Sequence, residues 1–316
     1  MRRGAYRWLS RYLYEAPLTL LFVTVLSFVL MRLSPISPAE AYARRNTPYP
    51  TAENIERVTR EMGLDQPLIM QYVKWLVNAL QLNFGQSLMN GNDAWAEFVQ
   101  MVPATLQIVG MSVAIQITGV LVAGMLMYLF WETYRGWLFR TGAVLCLSVP
   151  VFYFASLYLE LFAVRLEWIT VAGGMRAGSY IHPAICLAIP VVAFYGRMLG
   201  SLLRKEMSED YADYARCRGL SEARIVWRHA MPRAAIGITP SFLQNIGFTV
   251  AGAAIVERVF SIPGMGSGII DSVLHRDSPM IHLFVLFLGA VFVLMNGLSD
   301  LSARVLGPRR VVKEAS

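Results

Sequence analysis

Ser267 and His275 come nearest in this chain to a nucleophile and its base, and Ser267 stands inside a glycine-rich run, Gly264-Met265-Gly266-Ser267-Gly268. A serine nucleophile needs a base that a third group orients, and nothing beside His275 supplies one. The run also lacks the preceding strand and the acidic ribose partner of a dinucleotide site, so its glycines predict a tight outer turn. No GxxxxGK[ST] phosphate loop is present, which excludes nucleotide hydrolysis by this chain alone. The histidines, His182, His229, His275 and His282, show no paired-ligand spacing, and no fixed metal site is expected. His275 and His282, seven residues apart, are candidates for transient contact with a passing metal complex, against the simpler role of interfacial histidines. Cys146, Cys186 and Cys217 predict neither a disulfide framework nor a zinc site.

Carboxylates are scarce where the chain is apolar. Glu160, Glu167, Glu257 and Asp300 fall near the ends of uncharged runs, whereas proton-coupled carriers place such groups at mid-membrane. Amides stand inside the runs instead: Gln107, Gln116, Gln244, Asn245 and Asn296. Each needs a partner on another helix or water in a pathway, helix-to-helix bonding being the commoner solution. Gln244 and Asn245 are adjacent and cannot share a helix face, so at most one of them faces a pore. Gln107, Gln244, Asn245 and Glu257 are the substrate-pathway candidates, Glu257 either touching cargo or anchoring a turn.

The elements that must position these groups are long and apolar. Of the 316 residues 56% are hydrophobic and 16% charged, with a mean hydropathy of +0.48. Soluble domains carry about a quarter charged residues, so the composition points to a bilayer protein. Uncharged runs cover residues 16–31, 98–131, 141–159, 177–196, 234–256 and 278–299. Each approaches or exceeds the roughly 20 residues that cross about 30 Å of hydrocarbon. None alternates with period two, so six transmembrane helices are expected, with both termini on one side. Gly247 and Ala251 form a small-xxx-small pair in the fifth run, which would permit close helix approach. The first run follows Arg2, Arg3, Arg7 and Arg11 and precedes Arg32, Pro35 and Pro38 rather than a cleavage site, the pattern of a retained signal anchor.

Lys and Arg orient the spans. Seventeen lie in the N-terminal arm, at Arg135 and Arg140, in the 204–233 loop and in the tail, against four in the short loops opposite. The termini and the central loop are therefore expected on the cytoplasmic side. This spread of the net charge of +7 fits membrane topology and argues against nucleic acid as a partner. The chain divides into an arm and first span (1–33), an outer helical segment (34–97), a five-helix core (98–303) and a tail (304–316). In the outer segment Thr51 caps one amphipathic helix that ends at Gly63, and Pro67 starts another carrying Leu68, Tyr72, Trp75 and Ala79. The aromatics place that second helix at the membrane surface, as a packed lid or as a docking surface for an external partner.

The 204–233 loop is the most charge-dense stretch. Met207, Tyr211, Tyr214 and Ala215 recur at helical spacing on one face; Ser208 can cap that helix, and Gly219 stops it. Ser221 can cap a second helix that ends at Pro232. Such a helix, elbow and helix is a shape that a second protein can grip.

From Asp213 to Pro232 this loop resembles the EAA loop of permease subunits in ATP-binding-cassette importers, whose pattern is EAA, three residues, Gly, nine residues, then I-x-L-P. Asp213, Tyr214 and Ala215 stand for EAA, Gly219 is in register, and His229 to Pro232 read HAMP. Further blocks resemble the dipeptide, oligopeptide and nickel branch in order: GLDQPLIMQYVKWL from Gly63, NFGQS from Asn83, PATL from Pro103, SVPVF from Ser148, ERVFSIPGMG from Glu257, RDSPMI from Arg276 and NGLSD from Asn296. The chain departs from the branch where Gly307, Pro308 and Arg309 replace its Asp-Pro-Arg ending and Ile169-Thr170 replaces a Leu-Pro.

The resemblance implies an all-α membrane protein with the type I ABC importer permease fold: six transmembrane helices and a cytoplasmic EAA coupling loop in a bacterial inner membrane. It implies a second homologous permease, two cytoplasmic ATPase subunits that hold ATP and Mg, and an extracytoplasmic solute-binding protein, with no cofactor on this chain. Tyr211, Asp213, Tyr214, Ala215, Gly219, Arg224 and Pro232 would engage the ATPase. Nickel or a metal chelate is the favoured cargo, with dipeptides or oligopeptides as the alternative. A self-contained secondary carrier is the competing class, for which mid-membrane ionisable groups would be required.

Overall fold

The computed structural model describes residues 2–33, 37–46, 49–169 and 180–306. Arg176, the first residues of the expected fourth run and the tail from Gly307 lie outside them. Apart from one isolated bridge between Gln86 and Asp93, the regular structure described is helical. In chain order the helices are α1 (Arg2–Arg32), α2 (Pro38–Asn46), α3 (Ala52–Glu61), α4 (Leu68–Leu80), α5 (Ala94–Leu129), α6 (Tyr134–Ser148) and α7 (Val151–Leu159). They continue as α8 (Ile181–Met207), α9 (Asp210–Cys217), α10 (Glu222–Ile225), α11 (Met231–Val259), α12 (Met265–Leu274) and α13 (Ser278–Leu306).

Among the described residues four helices are long and apolar enough to cross a membrane: α1 from Tyr12, α5, α8 and α13. The expected third span is broken. Its two halves, α6 and α7 with the π turn after it, meet at a bend of 99° and make a fifth crossing only if counted together. Pro150 explains the break: it restricts Val149 to an extended conformation, φ −91° and ψ 123°, which ends α6. Helix α11 has the length, 29 residues, but Gln244, Asn245 and the residues around Pro240 dilute its apolarity below that of the other four.

The chain clusters into two compact units, Met1–Leu106 with Ser261–Val293 and Gln107–Phe260 with Leu294–Ser316. In the first unit α1 and α13 approach at Gly289, where a β-carbon would lie 3.4 Å from Val23. Phe84, Phe98, Met280 and Phe284 belong to its hydrophobic core. Buried Asp277 sits before the first turn of α13 and accepts a hydrogen bond from the Ser87 hydroxyl, so the NFGQS turn is fastened to the helix that follows RDSPMI. Thr51 caps α3 as expected, accepting from Asn54 N at 3.3 Å. The aromatics of α4 pack on protein: Tyr72 bonds Thr24 at 2.9 Å and Trp75 packs on His282.

In the second unit two helices approach closely at a pair of glycines. Gly196 and Gly200 of α8 meet α5 there: a β-carbon on Gly196 would fall 2.7 Å from that of Ala123, and one on Gly200 would fall 2.9 Å from that of Met127. Small residues at i and i+4 let two backbones touch where lipid supplies no hydrophobic drive. Deeper along α5, buried Gln116 donates to Ser112 at 3.1 Å and to Thr249 of α11 at 3.3 Å, the helix-to-helix role expected of a buried amide. Gly196→Val is expected to overpack this seam at a cost of about 1–3 kcal/mol, read as a lowered unfolding temperature of the detergent-solubilised protein, whereas Gly110→Val, which meets open space, leaves it unchanged.

Candidate functional site

The apolar face of α8 does not stop at the membrane-length run. Tyr195, Leu199, Leu203 and Met207 stay buried to the end of the helix, and Ala212, Ala215, Ile225, Val226, Ala230 and Met231 of the following loop close over the same core. The loop is thus packed onto α8 and α11 rather than suspended between them.

Its helices differ from expectation in three places. Ser208 closes α8, its hydroxyl donating to the Lys205 carbonyl at 2.8 Å, and extended Glu209 precedes α9 instead. That break puts Met207 on a different helix from Tyr214, so the buried face of α9 is Ala212 and Ala215 while Tyr214 is exposed. Pro232 does not end the second helix. After α10 the chain widens into a π turn, Val226–Ala230, and runs into α11, where Pro232 occupies the first turn and its missing N–H costs nothing. Gly219 behaves as expected. It takes φ +78°, its N–H donates to Arg216 O at 2.9 Å, and Leu220 N donates to Ala215 O at 3.2 Å, the two bonds of a Schellman ending.

Arg216 buckles the loop. Its guanidinium donates to Asp213 at 2.5 Å, to Glu222 at 2.6 Å and to the Met207 carbonyl at 3.1 Å, joining the end of α8, α9 and α10. The bonds to Glu222 and Asp213 push its pKa further up, so it stays charged. A second tie holds Tyr211, whose hydroxyl donates to Glu206 at 3.0 Å beneath Arg233, 4.1 Å from the ring centre. Burial, then the Glu206 carboxylate, push the Tyr211 hydroxyl up to about 12, so it remains a neutral donor.

The residues expected to engage a partner therefore separate into two groups. Asp213, Tyr214, Gly219, Arg224 and Pro232 are exposed, whereas Ala215 is buried and Tyr211 half-buried inside the loop's own fastening. Sequence reasoning missed exposed Trp227. It borders a cleft of about 780 Å³ also lined by Tyr128, Trp131, Glu132, Arg204 and Glu222. Arg204 pairs with Glu132 there, and Trp131 meets both Arg140 and Arg204, whose guanidinium carbons are 4.7 and 5.2 Å from its ring centre. No pattern in the sequence marks it, since Tyr128, Trp131 and Trp227 come to one cleft only in the fold.

The pathway candidates are dispersed. Gln107 and Gln244 are exposed, Asn245 is half-buried and donates to Thr249 at 3.4 Å, and Glu257 is fully buried near the end of α11. Arg197, absent from the expected set, is exposed within the membrane-length part of α8, and among the described residues it has no ion pair. Of the two histidines weighed for metal contact, His275 is exposed with Nδ1 2.8 Å from Asp271 O. His282 is buried between Phe28 and Trp75 with Nδ1 2.9 Å from Ser27 Oγ, so a passing metal does not reach it. Ser267 of the glycine-rich run accepts from Gly264 N at 3.1 Å and lies 2.8 Å from the Ile262 carbonyl, which opens α12 and leaves no nucleophile's geometry.

Helical construction, membrane-length apolar segments and a packed polar loop define a helical membrane protein. Residues 85–312 match the family of binding-protein-dependent transport system inner membrane components, and residues 5–109 match its N-terminal companion. This chain belongs to that family, as an ABC importer permease of the peptide branch. It is 32% identical over 321 residues to the di/tripeptide transport system permease protein DppB of Pseudomonas aeruginosa, covering 91% of this chain and 93% of that one. The glutathione transport system permease protein GsiC of Escherichia coli is 31% identical over 290 residues, covering 92% and 94%. The chain is a multi-pass inner-membrane transport subunit and not an enzyme.

Arg216→Ala is expected to raise amide hydrogen exchange across residues 208–225 while leaving the protein in the membrane. Arg216→Lys is expected to restore only part of the protection, because an ammonium lacks the planar fork that serves acceptors on three segments. Unchanged exchange in both variants would contradict the buckle.

Proposed function

We propose that this chain is one half of the translocation pore of a short-peptide importer, driven through its 204–233 loop by separate ATPase subunits. The observation that carries the reading is the shared core of the loop, α8 and α11: a force applied to α9 or α10 has no slack segment in which to dissipate. Exposed Asp213, Tyr214, Gly219, Arg224 and Pro232 form the face offered to an ATPase, a short helix laid into a groove. Tyr211 and Ala215 hold that face in place.

Six crossings complete the pore, the bent α6–α7 pair counting as one and α11 as another, with both termini and the loop cytoplasmic. The excess of Lys and Arg on that side supports the orientation. A second homologous permease supplies the other half, two ATPases hold ATP and Mg, and a solute-binding protein delivers cargo from outside. Exposed Gln107, Gln244 and Arg197 lie in apolar segments where contact with lipid is costly, so they face the pathway or the second permease. Short peptides take the place of nickel or a metal chelate as cargo. The relatives are named for di/tripeptides and glutathione, and His282 is enclosed.

A strain lacking this chain is expected to lose growth on di- and tripeptides as sole amino-acid source and to keep its nickel uptake. Retained peptide use with lost nickel uptake would reverse the cargo assignment. In the purified assembly, Gly219→Val is expected to abolish peptide-stimulated ATP hydrolysis without loss of membrane insertion, because a β-branched residue resists positive φ.

A further inference from the structure

Helix α4 carries three faces. Gln71, Tyr72, Trp75 and Ala79 point inward: Tyr72 stacks edge-on against Phe28 and bonds Thr24, and Trp75 packs on His282. Ile69, Val73, Val77 and Leu80 fall within an arc of about 80° at 100° per residue, and all of them are exposed, Ile69 and Leu80 by 80% and 79%. Lys74 and Asn78 occupy the remaining edge between these faces, Lys74 reaching back to Gln66 at 2.7 Å. A helix merely packed as a lid would need only the first face and a polar remainder.

Depth decides what covers the second face. The apolar span of α1 is Tyr12–Arg32, and Thr24 lies eight residues before its end. At 1.5 Å per residue, Thr24 is about 12 Å inside that end, and the hydrocarbon half-thickness is about 15 Å. Phe28 lies about 6 Å inside, and His282, four residues into α13, about 6 Å inside that span. The packed face of α4 is therefore seated against the apolar lengths of two spans, below their ends. On α1 itself Leu18, Phe22, Leu26, Val29 and Leu30 are exposed, the face a membrane span turns to lipid.

We propose that α4 lies immersed in the bilayer leaflet at the C-terminal end of α1, with Ile69, Val73, Val77 and Leu80 covered by acyl chains. Lys74 and Asn78 form the edge turned toward the headgroups. Tyr72 is then a positioning residue that fixes the depth of the helix through Thr24, and the segment behind α4 is set against the membrane rather than free in water.

The test uses the assembled transporter in liposomes with Cys146, Cys186 and Cys217 replaced by serine or alanine. Spin labels at Ile69→Cys, Val73→Cys and Val77→Cys are expected to collide several-fold more often with oxygen than with a water-soluble paramagnetic chelate, and a label at Asn78→Cys is expected to show the reverse. Chelate access along the arc would mean an aqueous docking face, and shielding from both probes would mean a protein-covered one; either overturns the proposal. The unaltered chain gives an independent reading with photoactivatable lipid. Adducts are expected on residues 68–80 as well as on residues 18–30, and their absence from 68–80 while 18–30 are labelled would also overturn it.

Discussion

The loop's attachment to the membrane helices rests on one continuous apolar seam. Leu199, Leu203 and Met207 carry the buried face of α8 beyond the length that a bilayer requires, and Ala212, Ala215, Ile225 and Val226 close onto it. Small side chains on α9 allow this, since alanines at 212 and 215 bring its backbone down onto Met207. Arg216 and Tyr211 then satisfy the carbonyl and carboxylates around the seam. Polar bonds alone, screened at a wet surface, would leave the loop free to hinge; the buried seam makes it part of the helices that it joins.

A second constraint comes from lipid, which accepts no unpaired backbone. Breaks within apolar helices therefore need a local cause and compensation from neighbouring structure. Pro150 supplies the cause at the α6–α7 bend, and the π turn Val226–Ala230 lets the loop re-enter a long helix through Pro232. The glycine seam of Gly196 and Gly200 answers the opposite need, bringing α5 and α8 close enough for dispersion contacts to hold them.

Much of this was legible before folding. Uncharged runs located the long helices, Gly219 marked the elbow because only a left-handed residue closes both Schellman bonds, and Gln116 stood among the amides for which a partner on another helix was the commoner of two expectations. The blocks spread along the chain identified the family. What escaped was three-dimensional. Periodicity treated Met207 and Tyr214 as one stripe, whereas the break at Ser208 reset the helix phase and turned Tyr214 outward. The amphipathic pattern of α4 was visible, but not the partners of Tyr72 and Trp75, because Thr24 and His282 lie far away in sequence. Gly196 and Gly200 were passed over because a small-residue pair announces itself only when a second helix is laid across it. The proposed cargo rests on the names of the relatives and on no residue of the loop.

The central claim is that the loop moves as one piece with α8. Spin labels at exposed Tyr214 on α9 and exposed Phe194 on α8, both within the second unit, measure it directly by electron–electron distance in the assembled transporter. The account predicts a single distance that is the same without nucleotide and with ATP trapped. A shift between the two states, or a second distance in either, would show a hinge at Ser208–Glu209 and contradict it.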